Sequence, residues 1–150
     1  MNAIEQRLAE LGVTLPDAPA PAANYVPFVV AGDIVYVSGQ ISQNDAGLIT
    51  GKVGQDMDVA EGAAAARTCA MSLLAQARAA CGGDLSRLVR VVKLTAFLNS
   101  NVDFTDQPEV VNGASDFLVE VLGDAGRHAR SAVSAGAFPC HVAVEIEGNF

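Results

Sequence analysis

The sequence predicts an α+β domain: a mixed sheet carrying two long helices on one of its faces. Three observations lead there. Two long stretches repeat apolar residues at helical spacing, short β-branched runs surround them, and the elements fall in the order β-β-(β)-α-β-α-β-β after a short leading helix. Strands of one sheet bury one face under helices. The opposite face of this sheet keeps small and apolar residues, so a second cover is needed, and self-association supplies one.

The elements follow in chain order. Asn2 and Glu5 have capping-box-like spacing, Ile4, Leu8 and Leu11 form a narrow apolar stripe, and Gly12 ends the helix. A Pro/Ala stretch, PDAPAPAANYVP, cannot continue it and reads as an extended connector. Residues 1–24 are therefore taken as helix plus connector, and 25–150 as the domain proper. Phe28–Val30 and Ile34–Val37 flank Ala-Gly-Asp as a hairpin, and Ser38-Gly39-Gln40 breaks the strand pattern. Gly47, Gly51 and Gly54 mark a loop-rich excursion with one short edge strand.

From about Asp58 to Ala80, Val59, Ala63, Ala66, Ala70, Leu73 and Ala77 recur on one helical face. So many alanines leave a thin face that allows close approach to a sheet. Leu88–Leu98 reads as a strand with Arg90 and Lys93 at solvated or interfacial positions. Pro108 suits the first residue of a second helix, whose core face is Val111, Ala114, Phe117, Leu118, Val121 and Leu122. Two last strands, about Ala129–Ala135 and Val142–Phe150, are joined by Gly136-Ala137-Phe138-Pro139.

Bulk properties exclude several function classes. Of 150 residues 51% are apolar and 17% charged, so the chain is neither a disordered tail nor a charge-rich linker. No apolar run approaches the roughly 18–20 residues of a membrane span, and the opening MNAIEQRLAELG lacks the apolar region of a secretory signal. A cytoplasmic protein without a membrane partner is expected. The net charge of −8, with no Lys/Arg cluster, argues against nucleic acid, whose binding depends on cations displacing counterions. Cys69, Cys81 and Cys140 show no C-x-x-C spacing, so no disulfide framework or zinc knuckle is indicated.

The candidate site comes from strand alternation. In the last strand Val142, Val144 and Ile146 share one face, and Ala143, Glu145 and Glu147 the other. In the preceding strand Val133 and Ala135 share a face, opposite His128, Arg130, Ala132 and Ser134. If the β-branched faces lie beneath the helices and the two strands pair across Phe138-Pro139, Arg130 and Glu145 meet on the open side. An arginine grips a carboxylate through two parallel bonds, and a carboxylate holds or deprotonates a water. The pair suits hydrolysis of a small anionic substrate, but the pattern alone favours the plainer reading, a structural ion pair at a subunit interface. His128 and His141 share the same parity, but they lie in separate segments without metal-ligand spacing, so no metal is expected. Lys52 and Lys93 have no Schiff-base context, and Cys140 has no base fixed beside it.

These same residues carry a resemblance. Ala129-Arg130-Ser131, then Phe138-Pro139 and Val144-Glu145-Ile146-Glu147, resemble the C-terminal signature of the reactive-intermediate imine deaminases, the Rid/YjgF family. Val37-Ser38-Gly39-Gln40-Ile41 is similar to the family's early Ser-Gly-Gln motif, Val91–Thr95 to its central strand, and Phe104–Asn112 to the start of its second helix. The similarity runs from about Tyr25 to Glu147. It implies a chorismate-mutase-like fold and a homotrimer whose sheets form a central barrel, with clefts between neighbouring subunits.

It further implies that Arg130 clamps the substrate carboxylate, that Glu145 orients the attacking water, and that the backbone of Ala132 adds polar groups. Tyr25, Ser38, Gly39 and Asn112 are expected to line or shape the cleft. The implied reaction is that of a 2-iminobutanoate/2-iminopropanoate deaminase: hydrolysis of a 2-imino acid, formed from an enamine such as 2-aminoacrylate, to a 2-keto acid and ammonia. No cofactor is required, because an imine carbon is already electrophilic.

The chain departs from the family pattern in places. Ala132 stands where cysteine is common, and His128 where proline is frequent, adding a polar or titrating group expected at the cleft. The Asn112–Arg130 segment is one residue longer, and the N-terminal helix and connector are extra. Two other readings stand beside the deaminase. One is a non-catalytic trimer that binds or senses small carboxylates. The other is a ribonuclease, which the negative charge disfavours.

Overall fold

The computed structural model describes residues 2–150. Helix α1 (Ala3–Glu10) starts where the Asn2 side chain accepts the Glu5 backbone N–H, and the chain turns out of it at Gly12, φ 68°. Its Leu8 is buried, and Leu15 beyond it joins the same hydrophobic cluster as the sheet and the long helices.

Strands β1 (Phe28–Ala31) and β2 (Ile34–Ile41) form the expected hairpin, turning at Gly32 with φ 61°. Ser38-Gly39 does not end β2. The strand runs on to Ile41, and its register against the last strand shifts between Val37 and Gln40, so the motif is a β-bulge inside the strand. The glycine-rich excursion holds a separate two-stranded ribbon, β3 (Gln43–Asn44) and β4 (Gly47–Leu48).

Helix α2 (Val59–Ala80) opens on a full capping box between Asp58 and Glu61. Ala66, Ala70, Leu73 and Ala77 are buried as the spacing requires. Strand β5 is Lys93–Asn99, shorter than the sequence suggests. Leu85–Arg87 form a 3-10 turn, and regular pairing begins only at Lys93, opposite Ala129 and Asn149. Helix α3 (Gln107–Leu122) carries Pro108 in its first turn and buries Val111, Ala114, Phe117, Leu118 and Val121. It crosses α2 so closely that a Cβ on Gly113 would fall on the Ala63 backbone carbonyl.

Strands β6 (Ala129–Ala135) and β7 (Val144–Asn149) complete the sheet, in the order β1-β2-β7-β5-β6. They are not a hairpin. β5 lies between them, parallel to β6 and antiparallel to β7. The β5–α3–β6 unit is therefore a crossover. The return from β6 to β7 passes through the turn Pro139–His141, where Cys140 (φ 55°) and His141 (φ 57°) adopt the left-handed backbone uncommon outside glycine.

The register also reverses the facing of β6. Arg130 lies beside Leu94 and Ala132 beside Ala96, on the side of the helices, whereas Val133 lies beside Phe97 on the open face and is 49% exposed. The sequence ARSAVSA contains a single β-branched residue among small ones, so its own alternation is uninformative. The in-register pairing with buried Leu94, Ala96 and Leu98 decides the orientation. β7 faces as expected, Val144 and Ile146 inward and Glu145 and Glu147 outward.

Candidate functional site

Two polar half-sites emerge, and they hold different members of the expected set. The first lies where β6 meets α3. One Arg130 Nη1–H donates to Ser115 Oγ at 3.0 Å, and one Nη2–H donates to the Pro108 carbonyl oxygen at 3.1 Å. A guanidinium carries five N–H groups, so three remain without a protein acceptor among the described residues, enough for a two-bond grip on a carboxylate. The side chain is half-buried.

Asn112 lies on the helical stripe that runs from Pro108 to Ser115, by the i, i+4, i+7 spacing of those positions. It is exposed. Ala132, two residues along β6, packs half-buried against the core.

His128 belongs to this half-site, though not as a free cleft group. Its Nδ1 is 2.6 Å from the Gly126 carbonyl oxygen and its Nε2 is 2.9 Å from Ser115 Oγ. A carbonyl only accepts, so Nδ1 carries a proton, and in the neutral imidazole Nε2 accepts from the serine hydroxyl. Burial, and behind it the Arg130 guanidinium, push the His128 pKa below the ordinary histidine value, while the bond to Gly126 opposes them.

The second half-site lies between β2, β7 and the Pro/Ala connector. Glu145 projects from the open face of β7 into a cavity of about 620 Å³, lined also by Tyr25, Gly39, Ile41, Pro139 and Cys140. Pro19 to Ala23 form one wall of it. Burial raises the Glu145 pKa above the usual carboxylate value, and the neighbouring Glu147 charge adds to the rise. Gly39 matters here through space: a Cβ on it would stand 3.0 Å from the Glu145 carboxyl carbon. The Ser38 hydroxyl is spent on structure, donating to the Val26 carbonyl at 2.8 Å and tying the connector to the bulge. The Tyr25 hydroxyl accepts from the Ala22 backbone N–H at 3.3 Å.

Within one chain the two half-sites do not meet. Arg130 lies level with Leu94 and Gly148, whereas Glu145 lies level with Phe97 and Val133, on the opposite face and with β5 between. They are about 10 Å apart along the strands and about 10 Å across them. The expected Arg130–Glu145 pairing across the last turn is thus absent, because the crossover places β5 where a hairpin would have joined β6 to β7. Ser115 and the connector wall escape the sequence reading. The i+3 step from Asn112 to Ser115 is the one signal that could have found the serine.

A mixed, mostly antiparallel sheet with two helices on one face is the chorismate-mutase-like α+β fold. Residues 5–145 match the family described as "YjgF/chorismate_mutase-like, putative endoribonuclease", and the chain belongs to it. Protein TCP17 of Trypanosoma cruzi is 48% identical over 146 residues, 96% of this chain and 91% of that protein. The crystal structure of a protein of unknown function from Agrobacterium tumefaciens is also 48% identical, covers 98% of this chain and 91% of its own, and superposes with a TM-score of 0.90. More distantly, Escherichia coli TdcF with bound serine is 26% identical over 88% of this chain and 91% of its own, with a TM-score of 0.59.

Proposed function

We propose that this chain hydrolyses small 2-imino acids to 2-keto acids and ammonia, in clefts that form between neighbouring copies of a cytoplasmic homotrimer. The observation that carries the reading is the separation of the half-sites. Arg130 keeps three N–H groups free for a carboxylate on the helix side of the sheet, and Glu145 waits on the other side. Only a second copy brings one to the other. The open face is suited to such contact, since Val29, Tyr36 and Val133 are each about half exposed there.

In the reaction, Arg130 holds the substrate carboxylate and so orients the imine carbon. Glu145 takes a proton from a water as its oxygen bonds to that carbon and the C=N π bond breaks, the proton passing to nitrogen. The hydroxyl proton of the resulting carbinolamine then passes through Glu145 to the nitrogen, the C–N bond breaks as C=O forms, and ammonia leaves. A Glu145 carboxyl whose pKa stands above the usual range both takes and returns a proton readily. The serine bound to TdcF is a small amino acid with the carboxylate this site would grip.

The test is keto-acid release from freshly generated 2-imino acids of several side-chain sizes, comparing the protein with Arg130→Ala. Acceleration above the spontaneous rate that disappears in the variant supports the reading. A spontaneous rate throughout, with saturable binding of 2-keto acids, selects the non-catalytic binding trimer instead.

A further inference from the structure

We infer that Ser115 and His128 act as positioning residues for Arg130, a half-buried relay that fixes the guanidinium for its carboxylate ligand. The inference rests on the reading of Arg130 as the carboxylate clamp and adds two residues to it. With the imidazole neutral, each bond in the relay has one direction. The Gly126 carbonyl accepts from His128 Nδ1–H at 2.6 Å, which leaves Nε2 as a lone pair. Ser115 Oγ–H donates to that lone pair at 2.9 Å, which turns the serine lone pairs toward Arg130, whose Nη1–H they accept at 3.0 Å.

An arginine side chain has several rotatable bonds and loses much freedom when it is held. Tied at Ser115 on one amino group and at the Pro108 carbonyl on the other, this one is ordered before any ligand arrives. Preorganisation of that kind favours binding. Without His128 the serine hydroxyl is free to rotate, and its lone pairs are no longer held in place for the Arg130 N–H.

The relay makes a prediction that a merely structural role would not. A guanidinium that is loosened rather than removed still orients the substrate once it is bound, so loosening it raises KM and largely spares kcat, whereas removing Arg130 abolishes both grip and orientation. Imino-acid hydrolysis by wild type, His128→Ala, Ser115→Ala and His128→Gln separates the cases. Both alanine variants are expected to raise KM about five- to tenfold with kcat within about twofold. His128→Gln, whose side-chain oxygen reaches the place of Nε2 and accepts from Ser115, is expected to return KM to near the wild-type value. An unchanged KM in His128→Ala, or a His128→Gln variant as impaired as the alanine, overturns the inference.

Failure of the underlying reading is visible separately, as a wild type with no turnover. Histidine ¹⁵N spectra then decide on the relay itself. Protonated Nδ1 and bare Nε2, with the Nε2 resonance moving in Ser115→Ala, uphold it, and a protonated Nε2 refutes it.

Discussion

The carboxyl carbon of Glu145 stands 3.0 Å from the point where any side chain on Gly39 would begin. The bulge in β2 presents bare backbone to the acid, and the open cavity lies beyond it. Gly39 does not occupy a left-handed conformation, so its role is room rather than backbone freedom. Ser38 closes the arrangement from the other side by anchoring Val26 of the connector.

Gly39→Ala should therefore separate stability from activity. The atoms a methyl would meet belong to the mobile end of Glu145, which can swing aside, so the melting temperature should move by no more than about 3 °C. The displaced carboxylate would no longer face the reacting water, and kcat should fall about tenfold or more. Equal kcat in variant and wild type would detach Glu145 from the chemistry.

The raised pKa of Glu145 gives a pH signature with a definite sign. Burial is its first cause and the Glu147 charge its second, so Glu147→Gln should shift the acid limb of the kcat profile to lower pH without abolishing activity. Stability runs the other way. Because the folded pKa lies above the unfolded value of 4.5, this group favours the fold while protonated, and that contribution is lost as pH rises through the window above 4.5. Glu145→Gln should accordingly melt higher than wild type at pH 7 and alike at about pH 3.5. A lower melting temperature at pH 7 would mean that the carboxylate has a stabilising partner.

The helices were legible because their signals are local. Asn2, Pro108 and the apolar periodicities of α2 and α3 each speak for themselves within a few residues. The facing of β7 was legible for the same reason, since Val144 and Ile146 alternate with two glutamates. The facing of β6 was not. ARSAVSA offers one valine, and its orientation is set by a partner strand more than thirty positions earlier in the sequence. The candidate site suffers accordingly: strand alternation puts Arg130 on the wrong side, and Ser115, a serine in mid-helix, is marked only by its i+3 step from Asn112.

Gly113 is a further residue whose importance only the packed structure reveals. Its missing side chain lets α3 rest on the Ala63 backbone, within the most extensive helix–helix contact in the fold. Unlike the Glu145 side chain, a helix carbonyl cannot rotate away. Gly113→Ala should lower stability by about 3 kcal/mol or more despite the better helix propensity of alanine, read as a lower urea midpoint. Little change in midpoint would show that α3 can slide without cost.

The separation of Arg130 from Glu145 yields the sharpest prediction. If each working cleft draws its arginine from one copy and its glutamate from the next, Arg130→Ala and Glu145→Gln are both inactive alone but complement each other. In an equal mixture of exchanged trimers, about a quarter of the clefts join an intact arginine to an intact glutamate across a head-to-tail contact, so about a quarter of wild-type activity should return. A site contained in one chain would recover nothing, because every chain in the mixture lacks one of the two groups. Val133→Asp supplies the complementary test, since it charges an open-face position that is 49% exposed and so should leave the isolated fold intact. Its particles should sediment as monomers with an unchanged circular dichroism spectrum and no imine hydrolysis. A monomer that keeps full turnover would mean that Arg130 and Glu145 never needed to meet.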